Sequence, residues 1–243
     1  MKSGTILLIG PTNSGKSTLL NKIIGKRVTL VSRKKQSTTF NQKAVKNFSE
    51  AEIILYDTPG IYSSTKKISN RMSNSAIAEI ETAAIIYLVL DISKKIEPTL
   101  KKIINTLENK VNKQRIFLIL NKIDKLNRDK IILKIKDYED QTKLEDIFPI
   151  SALDGEGIND LLEFTRKYLP NSKRKYTKKK TVLLKKELFY SEITREKIYN
   201  NLHKEIPYQC KVHTEEIKSS KNEITIHQRI SINKKSHKNI IIG

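Results

Sequence analysis

Short runs that are apolar at nearly every position punctuate the first two thirds of the chain: Thr5–Gly10, Ile53–Asp57, Ala83–Asp91, Arg115–Asn121 and Asp146–Ser151. A strand can be apolar on both faces only where both are covered, as in a parallel sheet flanked by helices. Between these runs the apolar residues change to helical spacing. Lys16–Gly25 carries Leu19, Leu20, Ile23 and Ile24 on one side, and Ile96–Leu107, Leu126–Tyr138 and Gly157–Leu169 show the same rhythm. The intervals are long enough for crossover helices, so the pattern predicts one α/β domain with a mostly parallel central sheet over residues 1–170.

After Pro170 the pattern breaks. Asn171–Lys180 holds six Lys or Arg residues and almost nothing apolar, which reads as a basic linker over residues 171–185. It is expected either to be a solvated hinge or to contact the phosphates of a polyanionic partner such as nucleic acid. Beyond it Lys186–Lys204 has helical spacing, Tyr208–Ile217 reads as a strand, and Ile224, Ile226, Ile230 and Ile232 alternate along another. Residues 186–243 are thus expected to form a small α+β module.

Composition adds limits. With 243 residues and 37% apolar content the chain can bury a core and carry an appendage. The longest apolar run, Ala83–Leu90, is far too short to span a bilayer, and no signal peptide is readable at the N-terminus. Cys210 is the single cysteine and shows no metal-ligand spacing with His203, His213, His227 or His237. A reducing cytoplasm is the expected compartment. The net charge of +21 suits a polyanionic partner, although general enrichment in lysine accounts for it equally well.

The chemistry is carried by four motifs at the ends of the apolar runs. Gly10-Pro11-Thr12-Asn13-Ser14-Gly15-Lys16-Ser17, followed by Thr18, matches G-x-x-x-x-G-K-[ST] between a predicted strand and a predicted helix. Its amides and the helix N-terminus would cradle phosphates, Lys16 would reach the β and γ phosphates, and Ser17 would ligate Mg²⁺. Asp57-Thr58-Pro59-Gly60 places a carboxylate near the metal and a glycine amide where the γ phosphate could be sensed. In the polar segment between, Thr38 is favoured over Thr39 to complete the Mg²⁺ shell. Asn121-Lys122-Ile123-Asp124 selects guanine, because Asp124 can accept from the ring N–H and the exocyclic amine together. Ser151-Ala152-Leu153 would support the base through a backbone amide. Their shared position at strand C-terminal ends is where ligands bind in such sheets.

With these motifs in order, the chain resembles the Era-type GTPases, translation-factor-related proteins in which a P-loop NTPase G domain precedes a type II KH RNA-binding domain. The likeness also runs through Ser32-Arg33-Lys34, through Ser191-Glu192-Ile193-Thr194-Arg195-Glu196-Lys197, and through Leu202–Tyr208. It implies a GTP/GDP switch that uses Mg²⁺, binds small-subunit ribosomal RNA and the small ribosomal subunit, and acts in ribosome assembly as a monomer. Peripheral membrane contact stays open. Ile61 stands where many GTPases have a water-orienting glutamine, so intrinsic hydrolysis is expected to be slow. Similar proteins share this replacement, and some hold K⁺ with an asparagine of the phosphate loop, here Asn13. Lys16, Thr38 and Gly60 are the expected catalytic positions.

Three departures qualify the resemblance. Ser236–Gly243 approaches the G-x-x-G loop that grips nucleic-acid backbone, through Lys238 and Gly243, but the sequence ends at its first glycine, so an incomplete KH-like domain is expected. Relatives tend to carry arginine at the position of Thr39 and a more acidic linker. A GTP-binding remnant or fragment that does not hydrolyse, with impaired RNA binding, is therefore the competing reading. A transfer-RNA-modifying GTPase fits less well, since such proteins usually embed the G domain within a larger chain.

Overall fold

The computed structural model describes the chain except for residues 29–41, 58–79, 97–99, 101–103, 106, 108–114, 178–185, 203–205, 221–222, 234–236 and 243. Six strands form one sheet: β1 (Lys2–Ile9), β2 (Gln42–Asn47), β3 (Ala51–Asp57), β4 (Ile85–Asp91), β5 (Arg115–Asn121) and β6 (Ile147–Ile150). Their spatial order is β2-β3-β1-β4-β5-β6, with β2 antiparallel to β3 and every other pairing parallel. The order reverses at β1, whose neighbours are β3 and β4. A crevice opens at the C-terminal ends of strands at such a reversal, and the phosphate-loop residues directly follow β1.

Helices cover both faces. α1 (Lys16–Ile24) and α3 (Ile158–Tyr168) lie on one side, with Leu19, Leu20, Ile23, Leu161 and Leu162 packed against Ile6, Leu8, Ile53, Leu55 and Ile119. On the other, Leu100, Ile104 and Leu107 from the segment before β5, with Tyr138 of α2 (Arg128–Thr142), close over Leu7, Ile86, Leu88 and Leu118. β4 is buried at all seven positions, as its unbroken apolar run requires. Each such side chain contributes about 1.5–3 kcal/mol from burial.

The strand β2 was not expected. Only Ala44 and Val45 of its six residues are apolar, and both are buried. Pairing along the whole of β3 makes the strand; local propensity does not. Part of the expected linker is also fastened down. Asn171 bridges to Lys2, the Arg174 guanidinium donates to Asn47 Oδ1 (2.5 Å) and to the carbonyls of Phe48 (2.5 Å) and Ser49 (3.0 Å), and Glu52 accepts from the amides of Lys175 (2.8 Å) and Tyr176 (3.0 Å).

The C-terminal module is α+β. α4 (Lys186–Asn201) lies against an antiparallel pair, β7 (Cys210–Ser219) and β8 (Ile224–Ile232), and α5 (His237–Ile242) follows. Its seam is polar: Ser191 Oγ meets Thr214 Oγ1 (2.8 Å), and Thr194 donates to Gln228 (2.6 Å). The isoleucines of β8 do alternate, but they build little core, Ile224 being 54% exposed and Ile230 36%. Among the described residues no helix is long and apolar enough to cross a membrane.

Candidate functional site

The turn after β1 is shaped by close backbone approach. Gly10 has φ 148°, and a Cβ there would stand 2.1 Å from the Val89 carbonyl. Gly15 has φ 100°, and a Cβ there would stand 2.1 Å from Asn121 Nδ2. The second glycine of the loop is thus required by the asparagine of a motif more than a hundred residues away. Asn121 joins three segments: it donates to the Ser14 carbonyl (2.7 Å), and its Oδ1 accepts from the amides of Lys122 (2.8 Å) and Ala152 (2.9 Å).

Lys122 adopts the left-handed conformation, φ 73°, and its ammonium donates to the Asn13 carbonyl (2.6 Å) and to Asp91 Oδ2 (2.7 Å). Asn13, the candidate K⁺ ligand, is itself left-handed at φ 64°. Asp124 is exposed and accepts from Ser151 Oγ (2.8 Å), so the serine hydroxyl orients the carboxylate expected to read the base. The Ala152 amide is used by Asn121, and Leu153 is exposed.

The phosphate end is buried and charged. Lys16 Nζ donates to the carbonyls of Gly10 (2.9 Å) and Pro11 (2.8 Å), and Ser17 Oγ donates to Asp57 Oδ2 (2.5 Å). Burial pushes the Asp57 carboxyl above its ordinary range, opposed by the Lys16 charge and the Ser17 hydroxyl. Burial likewise lowers the Lys16 ammonium, opposed by Asp57. Ser14 Oγ and Asp57 Oδ1 are buried with no hydrogen-bond partner among the described residues. A buried carboxylate oxygen without a donor is costly by itself but suits a hard divalent cation and its waters, as the Ser17 and Asp57 oxygens suit Mg²⁺. Thr18 lies in the first turn of α1, which contains no acidic residue to repel an anion from the helix N-terminus.

Thr38, Thr39, Gly60 and Ile61 lie outside the described residues. Of the candidate RNA contacts, Lys238 is exposed in α5 and Gly243 lies outside the described residues. Sequence reasoning missed Asp91 and Ser93. Their signal was a carboxylate ending an otherwise unbroken apolar strand, in register with Asn121 of β5.

The profile of the family described as 50S ribosome-binding GTPase matches residues 5–122. The chain is 36% identical to GTPase Era of Syntrophus aciditrophicus over 244 positions, covering 100% of this chain and 79% of that protein. An Aquifex aeolicus Era variant bound to GDP·AlF4⁻ superposes with a TM-score of 0.89 at 31% identity, covering 100% of this chain and 83% of the other. Era in complex with MgGDPNP and nucleotides 1506–1542 of 16S ribosomal RNA gives a TM-score of 0.88 at 32% identity, with the same coverage.

Proposed function

The chain belongs to the Era family of GTPases, and on that footing we propose that it is a potassium-stimulated GTP switch that docks on small-subunit ribosomal RNA during ribosome assembly. The observation that carries the nucleotide chemistry is the Asn121 junction, which holds the phosphate loop against the base-reading turn. In this reading Asp124, steadied by Ser151, accepts from both guanine N–H donors, and adenine would leave that acceptor unpaired. Lys16 neutralises charge on the β and γ phosphate oxygens, and the amides from Asn13 to Thr18 cradle them. Ser17 and Asp57 would hold Mg²⁺, with Thr38 completing the set, and the ion would supply charge stabilisation at the transferred phosphoryl group.

Ile61 cannot orient water, and Asn13 would hold a K⁺ ion that would supply positive charge at the loop. Thr38 and the Gly60 amide sense the γ phosphate, and its loss releases both segments. Residues 1–170 form the G domain, 171–185 the connection and 186–243 a KH-like module whose basic surface, including Lys238, meets RNA phosphates. The protein works in the cytoplasm as a monomer.

The test is GTP hydrolysis in potassium against sodium buffer, with and without small-subunit ribosomal RNA. The reading expects turnover that rises at least about tenfold in potassium, a gain of ~1.4 kcal/mol in barrier terms, and rises again with RNA. Tight GTP binding with no turnover in any condition would replace it with the non-hydrolysing remnant. Stimulation by potassium but not RNA would remove the role assigned to residues 186–243.

A further inference from the structure

Asp91 belongs to none of the four nucleotide motifs, yet it is the most connected carboxylate at the site. It ends β4 opposite Asn121 and is 7% exposed. Its Oδ1 accepts from the Ser93 amide (3.1 Å) and hydroxyl (2.6 Å), which fixes the plane of the carboxylate. Its Oδ2 accepts from Lys122 Nζ (2.7 Å). The Ile92 amide donates to the Asn121 carbonyl (3.0 Å), tying the two strand ends together beneath this contact. Lys94 and Lys95 line the same recess as Asp91, but Lys122 is the cation it holds.

The chain of contacts continues into the phosphate loop. Lys122, gripped by Asp91, donates to the carbonyl of Asn13 (2.6 Å). Asn13 and Lys122 both sit at positive φ, a conformation that asparagine tolerates and that a lysine holds at some cost, so contacts around it help to keep it. Through the Lys122 ammonium the Asp91 carboxylate bears on the Asn13 backbone carbonyl. Without it the Lys122 ammonium would lose its charged partner, swing toward solvent and release the Asn13 carbonyl.

We propose that Asp91 is a positioning residue of the nucleotide site, which through Lys122 locks the Asn13 backbone and with it the curvature of the phosphate loop. Burial tends to raise the Asp91 carboxyl, but the hydrogen bonds from Lys122 and Ser93 outweigh it and keep the group ionised. The inference needs only that guanine nucleotide binds in this loop, and it stands whether or not potassium stimulates turnover.

A double-mutant cycle tests it, read as the release rate of a fluorescent GDP analogue from the full chain. Asp91→Ala is expected to speed release about tenfold, the worth of one charge-assisted hydrogen bond. In a Lys122→Met background the same change should add less than about twofold, because the residue through which Asp91 acts is gone. A merely structural role would speed release by equal factors in both backgrounds, and that result, or unchanged release in Asp91→Ala, overturns the proposal. Should Asp91→Ala fail to fold, Asp91→Asn, which keeps the side-chain shape and an acceptor, is put through the same cycle. It is expected to give about threefold in the parent and no further effect beside Lys122→Met, and equal factors there are again fatal.

Discussion

Both ends of the central sheet gather polar groups from distant parts of the chain, and they treat them in opposite ways. At the N-terminal ends of β1 and β3, Glu52 is fully buried and every visible demand is met: Ser3 Oγ (2.7 Å) and the Lys175 amide (2.8 Å) donate to Oε2, and the Tyr176 amide (3.0 Å) to Oε1. Arg174 finds three acceptors on the β2–β3 turn. At the C-terminal ends Ser14 Oγ and Asp57 Oδ1 are just as buried and have no partner among the described residues. A completed polar network holds structure together, whereas an incomplete one is poised for a ligand that completes it. The two ends should therefore respond to mutation in different observables, one in folding stability and the other in nucleotide affinity.

The largest effect is expected at the ligand end. In Gly15→Ala the new Cβ would overlap Asn121 Nδ2, so either the loop or the asparagine must move, and the backbone would be strained at φ 100°. Strain and the broken buried hydrogen bonds together cost about 3–5 kcal/mol. That predicts a loss of GDP affinity of more than about a hundredfold in equilibrium titration. Affinity within about threefold of the parent would mean that the Asn121 junction does not shape the loop.

At the other end, Glu52→Ala removes at once the acceptor of the buried Ser3 hydroxyl and of two partly buried amides, those of Lys175 and Tyr176. The expected loss is about 3 kcal/mol of unfolding free energy, with GDP affinity of the folded protein unchanged. Denaturant titration in the absence of nucleotide reads the first quantity, and equilibrium GDP titration reads the second. An affinity change comparable to that of Gly15→Ala would break the contrast between the two ends, showing that the Glu52 network reaches the nucleotide site along β3 to Asp57.

The same contrast governs how much was legible in the sequence. The nucleotide end announces itself because phosphate recognition demands particular residues at particular spacings, so Gly10 to Thr18, Asp57 and Asn121 to Asp124 stand out even though they are scattered. The strands beneath them were legible because β4 and β5 are apolar nearly throughout. The Glu52 end has no such signature. Its glutamate lies in a run that reads as an ordinary strand margin, and its partners come from a basic stretch that reads equally as a solvated hinge or as an RNA contact, 123 positions away at Lys175. A buried carboxylate matched by two backbone amides is a tertiary fact, since backbone donors carry no residue code. β2 was missed for a related reason: four of its six residues are polar, and pairing with β3 alone makes them a strand. Asp91 falls between these cases, being visible as a charge at a strand end but given meaning only when the fold brings Lys122 beside it.

The smallest effect tests a contact that belongs to neither end. Arg27, two residues beyond the Gly25 cap of α1 and half exposed, forms an ion pair with the mostly buried Glu196 of α4, joining the nucleotide domain to the C-terminal module. The arginine is well solvated, so screening limits its contribution, and Arg27→Ala should cost about 1 kcal/mol or less. For a chain of this size that is a fall in melting temperature of about 2–4 °C, with GDP release unchanged. The residue leads into the segment that contains Thr38, which makes the second observable the sharper one. If GDP release were to change with so little loss of stability, the module would be coupled to the nucleotide through this pair, and the two-ended description would need a third element that is neither filled by ligand nor purely structural.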